Sequence, residues 1–375
     1  MKITIVGAGN AGCWTALFFS HYAKDIAEIE VIHDPSIEPV PVGQATVKGP
    51  VKLLSKTLGL NWYENKMKLT PKLGVLYENW GKLNKEYFHP IGGLDDIAMH
   101  YEPRELQNQI LNSRLFTCKE EYVDEVNNID TDYVIDCRGA PLDFSDYSQL
   151  TNPVNSCLVG RREGPESTAN WSKHVATPDG WTFVIPNADQ TSTFGYLYNE
   201  HVSEDAAAEA NFKSLFSIET SIVRKLKFRN YLSNNPIIDE RIILSGNKLF
   251  FLEPLESTAI STYLEWARFI HMWIIQKQAS ASECTKMIKR HIRQQEAFVL
   301  WHYMFGSTYE SKFWSLCDSN FTDTCSSMIN LLEDIAKGRS RKPLSMIFDQ
   351  DYEGWGLFPV SSIHKWWEAM NQKSN

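Results

Sequence analysis

The apolar pattern of residues 1–139 predicts strands that alternate with helices. Residues 2–6 form a short β-branched run typical of a buried parallel strand, and residues 10–23 carry apolar side chains at helical spacing. Two further apolar strands are predicted over residues 29–34 and 131–139. This order predicts an α/β fold with a Rossmann-like parallel sheet.

Two helices and one more strand are predicted between these elements. The helices cover residues 50–58 and 104–115. Residues 70–80 are predicted as one strand with Lys72 near its start and aromatic residues at its end. A lysine at such a position is usually a solvated strand end. By pattern alone, His89 in the next aromatic patch is a structural histidine.

In the middle of the chain the pattern changes to alternation with large aromatic residues. Residues 155–200 therefore predict an antiparallel sheet that carries Trp181 and Phe183. Such a sheet suits either the cover of a substrate cavity or the aromatic core of a sandwich, and the pattern leaves both open.

Helices dominate the prediction for the rest of the chain. One covers residues 204–216 with Ser203 as its N-cap, and a longer one covers residues 261–279 after a strand and a glycine turn at 242–251. The last third is predicted to be helical and rich in aromatic residues.

Three glycines separate the first strand from the first helix. Gly7, Gly9 and Gly12 form the pattern G-x-G-x-x-G. The first glycine allows a tight turn, the second lets the backbone approach a pyrophosphate, and the third lets the helix pack close to the strand. The helix N-terminus adds free N–H groups and the positive end of its dipole. Because the motif follows a strand and opens a helix, it indicates a dinucleotide site.

An acidic residue at the end of the second strand normally binds the ribose hydroxyls. His33 occupies that place and Asp34 follows it, so the contact is predicted for one of the two. The strand end at 136–139 and the start of the later long helix, near 253–261, are predicted to complete the cofactor surroundings.

Composition and charge exclude several classes of protein. The net charge of −9 argues against a general nucleic-acid binder, and no apolar run is long enough to span a membrane. The first residues lack a signal-peptide pattern. The seven cysteines show no C-x-x-C and no metal-ligand spacing, so no metal site and a cytoplasmic location are predicted. A homo-oligomer is the general expectation.

Taken together, the motifs resemble those of the flavin-dependent halogenases, the family that includes the tryptophan halogenases. The glycine motif ends in Trp14 as in that family, and the E-P-L-E-S-T-A segment at 253–259 is similar to its D-P-L-x-S-T-G motif. The markers keep the family order up to about residue 314. The other similar segments are G-Q-A-T-V at 43–47, K-L-G at 72–74 with E-N-W at 78–80, F-H-P at 88–90, D-C-R-G at 136–139, W-T-F-V-I-P at 181–186, and H-Y at 302–303 with F-W at 313–314.

Four departures from the family pattern bear on the substrate and the halide. Phe183 replaces the second tryptophan of W-x-W-x-I-P, Gln44 replaces a glutamate, and Ala259 replaces a glycine. The chain is also shorter than the usual members. These departures count against free tryptophan as the substrate and favour a compact, phage-type member with a more open cavity.

The resemblance implies a reaction and the two residues that carry it. Reduced FAD, delivered by a separate NAD(P)H-dependent flavin reductase, reacts with O2 to form a flavin hydroperoxide. This species oxidises chloride, bromide or iodide to hypohalous acid. Lys72 directs the oxidant to a small indole, phenol or aniline, either by hydrogen bonding or as a haloamine. Glu256 orients the halogen species and takes the arene proton.

The resemblance also implies contacts with the cofactor, the halide and the substrate. Thr258 and Ala259 are implied to contact the halide. The implied substrate residues are His89, Trp181, Phe183 and Ser257, and the implied FAD residues are Gly7, Gly9, Ala11, Gly12, His33, Asp34, Gln44, Ala45, Val123, Gly139, Gly246 and Leu255.

The implied architecture is a single unit of residues 1–375 with the FAD-binding fold of GR2-type monooxygenases and halogenases. The FAD-binding sub-domain covers about 1–145 and 240–280, and the substrate sub-domain covers about 146–239 and 281–375. Two alternatives stay open. An FAD-dependent aromatic hydroxylase would transfer oxygen and needs no lysine near its substrate, and a catalytically inactive relative would bind FAD without turnover.

Overall fold

The computed structural model of the chain describes residues 1–39, 43–62, 66–82, 86–91, 97–164, 170–217, 222–320, 325–339, 344–347, 350–355 and 357–371. The described helices are α1 (Asn10–Tyr22), α2 (Pro50–Leu58), α3 (Pro103–Leu111), α4 (Asp205–Phe216), α5 (Ala259–Ile274), α6 (Ala281–Met304), α7 (Lys312–Asn320), α8 (Ser326–Ala336) and α9 (Val360–Asn371). The described strands are β1 (Lys2–Val6), β2 (Glu28–His33), β3 (Gln44–Ala45), β4 (Thr70–Lys72), β5 (Gly74–Glu78), β6 (Glu86–Pro90), β7 (Ala98–Tyr101), β8 (Thr117–Glu120), β9 (Tyr133–Asp136), β10 (Tyr147–Gln149), β11 (Ser156–Glu163), β12 (Ser172–Thr177), β13 (Gly180–Pro186), β14 (Thr191–Tyr198), β15 (Ile222–Lys227), β16 (Tyr231–Ser233), β17 (Ile237–Ile238), β18 (Ile242–Leu244), β19 (Phe250–Phe251), β20 (Leu344–Ile347), β21 (Gln350–Trp355) and β22 (Phe358–Pro359).

A six-stranded sheet in the order β17-β18-β9-β1-β2-β8 forms the first layer of the fold. Its strands are parallel apart from the edge pair β17–β18. Ile5 of β1 pairs with Val31 on one side and with Ile135 on the other, which gives the buried strand core that the apolar runs predict. Helix α1 packs between this sheet and α5. The predicted α/β fold is therefore confirmed.

A seven-stranded sheet in the order β15-β11-β14-β13-β12-β5-β6 forms the second layer. It is antiparallel apart from the parallel pair β5–β12, which confirms the antiparallel prediction for residues 155–200. Strands β5 and β6 precede the predicted sub-domain boundary near residue 145 and yet belong to this sheet.

The prediction of one strand over residues 70–80 is wrong. The segment forms β4 in a small sheet with β7 and then β5 in the large sheet. The break lies at Leu73, whose N–H donates to the carbonyl of Asn170. Gly74 then passes so close to β6 that a Cβ atom there would lie 2.6 Å from the carbonyl oxygen of His89. Lys72 therefore stands at the junction of two sheets, and not at a solvated strand end.

Several predicted helix limits also need correction. Helix α4 has Glu204 as its N-cap residue, and Ser203 precedes the cap. Helix α5 begins at Ala259 and ends at Ile274, because the carbonyl of Thr258 already accepts the first helical hydrogen bond from the Thr262 N–H.

Two further predictions differ from the structure. Helix α3 starts one residue earlier than predicted, with Pro103 in its first turn, and ends at Leu111. The last third of the chain contains the antiparallel strands β20–β22 besides its helices. In the described parts of the chain, the helices lack the length and apolar character that crossing a bilayer requires.

Candidate active site

The predicted cofactor residues lie along one edge of the parallel sheet. Gly7 follows β1, His33 ends β2, Gly139 comes after β9, and Gly246 comes after β18. Because these strands are parallel neighbours, their carboxyl ends meet at the same edge, which is where α/β sheets bind ligands.

The glycine loop has the geometry that its sequence predicts. Gly7 has φ +101°, and a Cβ atom on Gly12 would lie 1.8 Å from the Gly7 carbonyl oxygen, so helix and loop are in direct backbone contact. A Cβ atom on Gly9 would meet no described atom within 4 Å. Gly9 is also the N-cap residue of α1 and makes no side-chain cap bond. The loop therefore leaves space in front of a helix N-terminus.

Gln44 is fixed beside this loop by two hydrogen bonds. Its Oε1 accepts from Asn10 Nδ2 and from the Tyr101 hydroxyl, both at 2.7 Å. Ala45 follows in the short strand β3. The carbonyl of Ala8 accepts a hydrogen bond from Gln107 at 2.6 Å, which anchors the glycine loop to α3. The G-Q-A-T-V segment and the glycine loop therefore form one surface.

The remaining predicted FAD residues lie around the same edge. Asp34 Oδ1 accepts the Ser36 N–H at 2.9 Å, while His33 is half-buried. The Val123 carbonyl accepts from Arg138 at 3.0 Å. His33 and Asp34 are both half-buried at the end of β2, and the ribose contact stays predicted for one of the two. In addition, Leu255 is buried, and a Cβ atom on Gly246 would lie 2.5 Å from the Ala11 Cβ atom.

Lys72 is 1% exposed and connects two distant motifs. Its Nζ donates to the Thr46 carbonyl at 3.2 Å and to Ser257 Oγ at 3.3 Å. Thr46 belongs to the G-Q-A-T-V segment, and Ser257 belongs to E-P-L-E-S-T-A. Burial lowers the pKa of Lys72 to about 8, and the charge of Glu256 opposes this shift.

Glu256 lies in a buried cluster with a tyrosine and a histidine. Its Oε1 accepts from the Tyr77 hydroxyl and lies 2.7 Å from His302 Nε2. His302 Nδ1 lies 2.7 Å from the Phe298 carbonyl, which can only accept, so Nδ1 carries a hydrogen. The short contact between Nε2 and Glu256 Oε1 therefore has one hydrogen between the two atoms.

The groups around Glu256 favour the ionised form of its carboxyl group. Burial alone would raise the pKa of its carboxyl group. The charge and hydrogen bond of His302 outweigh burial, with help from Tyr77, and hold this pKa well below its usual range. Glu256 is thus a carboxylate, and it can accept a further proton.

The residues after Glu256 lead into α5. Ser257 has φ +53°, an uncommon conformation for a serine, which turns the chain between Glu256 and the helix. Thr258 is the N-cap residue of α5, and Ala259 is its first residue and is exposed. Ser257, Thr258 and Ala259 thus place a helix N-terminus, which favours anions, next to Lys72.

Three of the predicted substrate residues differ in their burial and in the residues that they contact. His89 is buried, and its Nε2 lies 2.8 Å from Ser362 Oγ; burial lowers the pKa of His89 to about 4. Trp181 is buried and donates its indole N–H to Glu253 Oε2 at 3.0 Å. Phe183 is half-buried and packs over Gly195. Their roles as substrate contacts stay predictions.

Sequence reasoning missed the partners of the two buried glutamates. Tyr77 and His302 bind Glu256 from β5 and α6, and Tyr303 donates to Glu253 Oε2 at 2.7 Å. Burial raises the pKa of Glu253 to about 7. The only sequence signal for these partners was the H-Y pair at 302–303, since nothing in the pattern of β5 marks Tyr77.

The chain is similar to several known proteins. The family described as tryptophan halogenase matches residues 2–113 and 119–362. Tryptophan 7-halogenase RebH of Lentzea aerocolonigenes is 20% identical, and the alignment covers 84% of this chain and 78% of that protein. Tryptophan 6-halogenase ThaL of Streptomyces albogriseolus is 22% identical, with 83% and 78% covered.

The fold is also shared with solved structures. BrvH, a flavin-dependent halogenase from Brevundimonas sp. BAL3, superposes with a TM-score of 0.78 at 16% identity, and the alignment covers 100% of this chain and 90% of that one. Because the family match extends over most of the chain, this protein belongs to the tryptophan halogenase family, a family of enzymes with oxidoreductase chemistry.

Proposed function

We propose that this protein is a flavin-dependent halogenase that replaces a ring hydrogen of a small, electron-rich aromatic compound by chlorine, bromine or iodine. The contact of buried Lys72 with Thr46 and Ser257, next to Glu256, supports this proposal most strongly. A flavin hydroxylase needs no amine at this position. An inactive relative gives no reason to keep a buried lysine, because burying a charged amine costs free energy.

The glycine loop and its neighbours fit FAD. The space in front of Gly9 and the N-terminus of α1 suit a pyrophosphate, and the half-buried pair His33 and Asp34 suits a ribose. Gln44 and Ala45 would lie beside the flavin ring. Bound FAD in its reduced form supplies, with O2, the oxidising equivalent that converts halide to hypohalous acid. The electrons are proposed to come from a separate NAD(P)H-dependent flavin reductase.

Two glycine variants separate FAD binding from folding. Gly12→Ala is expected to lower the free energy of unfolding by about 2 kcal/mol, because its Cβ atom would overlap the Gly7 carbonyl.

Gly9→Ala is expected to change stability by less than about 0.5 kcal/mol, because its Cβ atom meets only open space. It should still weaken FAD binding about tenfold, since that space is where the pyrophosphate is proposed. Urea unfolding and flavin-fluorescence titration measure both; wild-type FAD affinity in Gly9→Ala would contradict the placement.

The halide is proposed to lie at the start of α5. The backbone groups of Thr258 and Ala259 stand at the N-terminus of a 16-residue helix, where partial positive charge attracts an anion. Hypohalous acid formed there is close to Lys72 through Ser257, which accepts a hydrogen bond from the amine.

Lys72 and Glu256 are proposed to divide the transfer step between them. The neutral amine of Lys72 exchanges a hydrogen for halogen from hypohalous acid, releases water, and holds the halogen as a haloamine. The arene then takes the halogen while the lysine nitrogen takes a proton from water, and the ring proton passes to the Glu256 carboxylate and from there to the hydroxide left by that water. Holding the halogen on one fixed nitrogen restricts attack to one ring carbon.

The rate of halogenation is expected to rise with pH through about 8. The charge of Lys72 interacts with Glu256 and with three histidines, His89, His100 and His174. Burial lowers the pKa of each histidine, so these rings are neutral. The neutral amine fraction therefore follows the pKa of Lys72 itself, about 8, and is about a tenth at pH 7.

Single turnovers with chemically reduced FAD measure this profile without the reductase. A rate that is constant from pH 6.5 to 9, or that falls with rising pH, would contradict the haloamine step. A falling rate would instead indicate that protonated Lys72 acts as a hydrogen-bond donor to the oxidant.

Product identity tests the proposed function. Purified protein, FAD and a flavin reductase are incubated with indoles, phenols and anilines in chloride, bromide or iodide, and products are analysed by mass spectrometry. We expect one ring hydrogen exchanged for the halogen supplied. A hydroxylated product would favour the hydroxylase, and flavin binding without product would favour the inactive relative.

The substrate sub-domain limits, the cytoplasmic location and a homo-oligomer stay predictions.

A further inference from the structure

Helix α9 lies against the site through one face. Its buried side chains are Ile363, Trp366 and Met370, which recur at helical spacing. Ser362, one turn before Trp366, forms the hydrogen bond with His89 Nε2. The helix is thus in direct contact with a residue whose pKa is influenced by Lys72 and Glu256.

Trp366 is fully buried among aromatic rings that belong to the Glu256 cluster. Its ring centroid lies 4.2 Å from that of His302, 4.4 Å from that of Tyr77 and 6.1 Å from that of Tyr87. We call the rings of Tyr77, Tyr87 and His302 the aromatic cage. Two of its three members, Tyr77 and His302, contact Glu256 Oε1. A single ring, that of Tyr77 or His302, therefore separates the Trp366 indole from Glu256, which is proposed to accept the arene proton.

The hydrogen bonding between Trp366 and the aromatic cage is incomplete. Within the described part of the chain, Trp366 Nε1 and the Tyr87 hydroxyl are both buried and have no hydrogen-bond partner. Buried polar groups normally find partners, and each one left without a partner costs free energy. The apolar fit of the indole is therefore good, while its polar fit is incomplete.

Helix α9 packs against α8, β6, β21 and β22. Three of its side chains are buried, and the others are half-buried or exposed. Its polar contacts with other elements include the bond of Ser362 to His89 and the bond of His364 Nδ1 to the Ala336 carbonyl at 2.8 Å. A ligand that displaces α9 must therefore offset the loss of these contacts by its own binding free energy.

We propose that the aromatic cage is a binding site for a neutral arene of indole size, that Trp366 occupies it in the free protein, and that α9 moves away when the arene binds. The expected open cavity is thus closed on this face by the chain's own indole. The inference rests on the proposed function only in naming that arene as the substrate. Binding itself is independent of turnover.

Hydrogen–deuterium exchange on the unaltered protein tests the displacement. The probe is indole at saturating concentration, without halide or reduced flavin. Displacement predicts that the amides of α9 exchange at least about tenfold faster with indole, while those of β5 exchange more slowly. If α9 were a fixed wall of the site, indole would slow its exchange. Slower or unchanged exchange in α9 would therefore overturn the proposal.

Indole affinity gives a second test with a matched control. A site that is occupied most of the time binds more weakly than an open one, in proportion to the open fraction. Trp366→Ala is therefore expected to bind indole at least about tenfold more tightly than wild type, and Trp366→Phe should lie between them. Trp367→Ala, the neighbouring change on the same helix, should bind like wild type.

Equal or weaker indole binding by Trp366→Ala would overturn the proposal, as would the absence of binding. Because the exchange experiment uses the unaltered chain, poor folding of a variant does not decide the outcome. Halogenation with failed displacement would remove only this inference. Displacement without halogenated product would remove the proposed function and keep the binding site.

Discussion

Lys72→Ala is expected to reduce halogenation at least about a thousandfold while FAD binding stays within about twofold of wild type. The variant removes the only amine that the structure places between Thr46 and Ser257 in its described residues, and that amine is proposed to carry the halogen. Lys72→Met keeps most of the side-chain volume and should lose activity to the same degree. Product formation per turnover of reduced FAD measures the loss.

Lys68→Ala is the matched control for Lys72. Lys68 lies four residues earlier and forms an exposed ion pair with Glu105. Exposed pairs contribute little to stability, so this variant should keep wild-type activity. Halogenation by Lys72→Met at more than about a tenth of the wild-type rate would contradict the transfer through the amine.

Glu256→Gln is expected to lower the rate of halogenation about 10²- to 10³-fold, the usual contribution of a positioned base. The amide cannot accept the ring proton. It also removes the buried carboxylate that Tyr77 and His302 contact, so stability should fall by a few kcal/mol. Single-turnover kinetics and urea unfolding measure the two effects separately.

Glu253→Gln is the control for this second prediction. Glu253 is also buried and lies three residues earlier, and its Oε2 accepts hydrogen bonds from Trp181 and Tyr303. A glutamine oxygen can accept the same two bonds, and we assign Glu253 no proton transfer. Its variant should therefore keep most of the activity. Equal losses in Glu253→Gln and Glu256→Gln would show that any change to this buried segment is damaging.

The parts of the fold that could be predicted from sequence are those whose cause is local. The turn at Gly7 and the close packing at Gly12 follow from neighbouring residues, and so do the start and end of α2 at Pro50 and Leu58. The resemblance to the halogenases pointed to Lys72 and Glu256. In the structure these two residues lie near each other.

The remainder depends on contacts between distant segments. Lys72 meets Thr46 across 26 residues and Ser257 across 185 residues, so its burial could not be seen in the pattern of residues 70–80. The break at Leu73 arises from a bond to Asn170, which lies 97 residues further along the chain, just before β12. Trp366 was recognised only as one aromatic residue among many, because nothing in its own helix shows that it packs against Tyr77.

A comparison of wild type and Lys72→Ala in one product assay tests the central claim most directly. Both proteins are incubated with FAD, a flavin reductase, bromide and an indole, with catalase present and a parallel reaction with free hypobromite. Mass spectrometry and chromatography then identify each product. The account predicts a single brominated isomer from wild type and none from Lys72→Ala. The same isomers from both proteins and from free hypobromite, or a hydroxylated product, would contradict it.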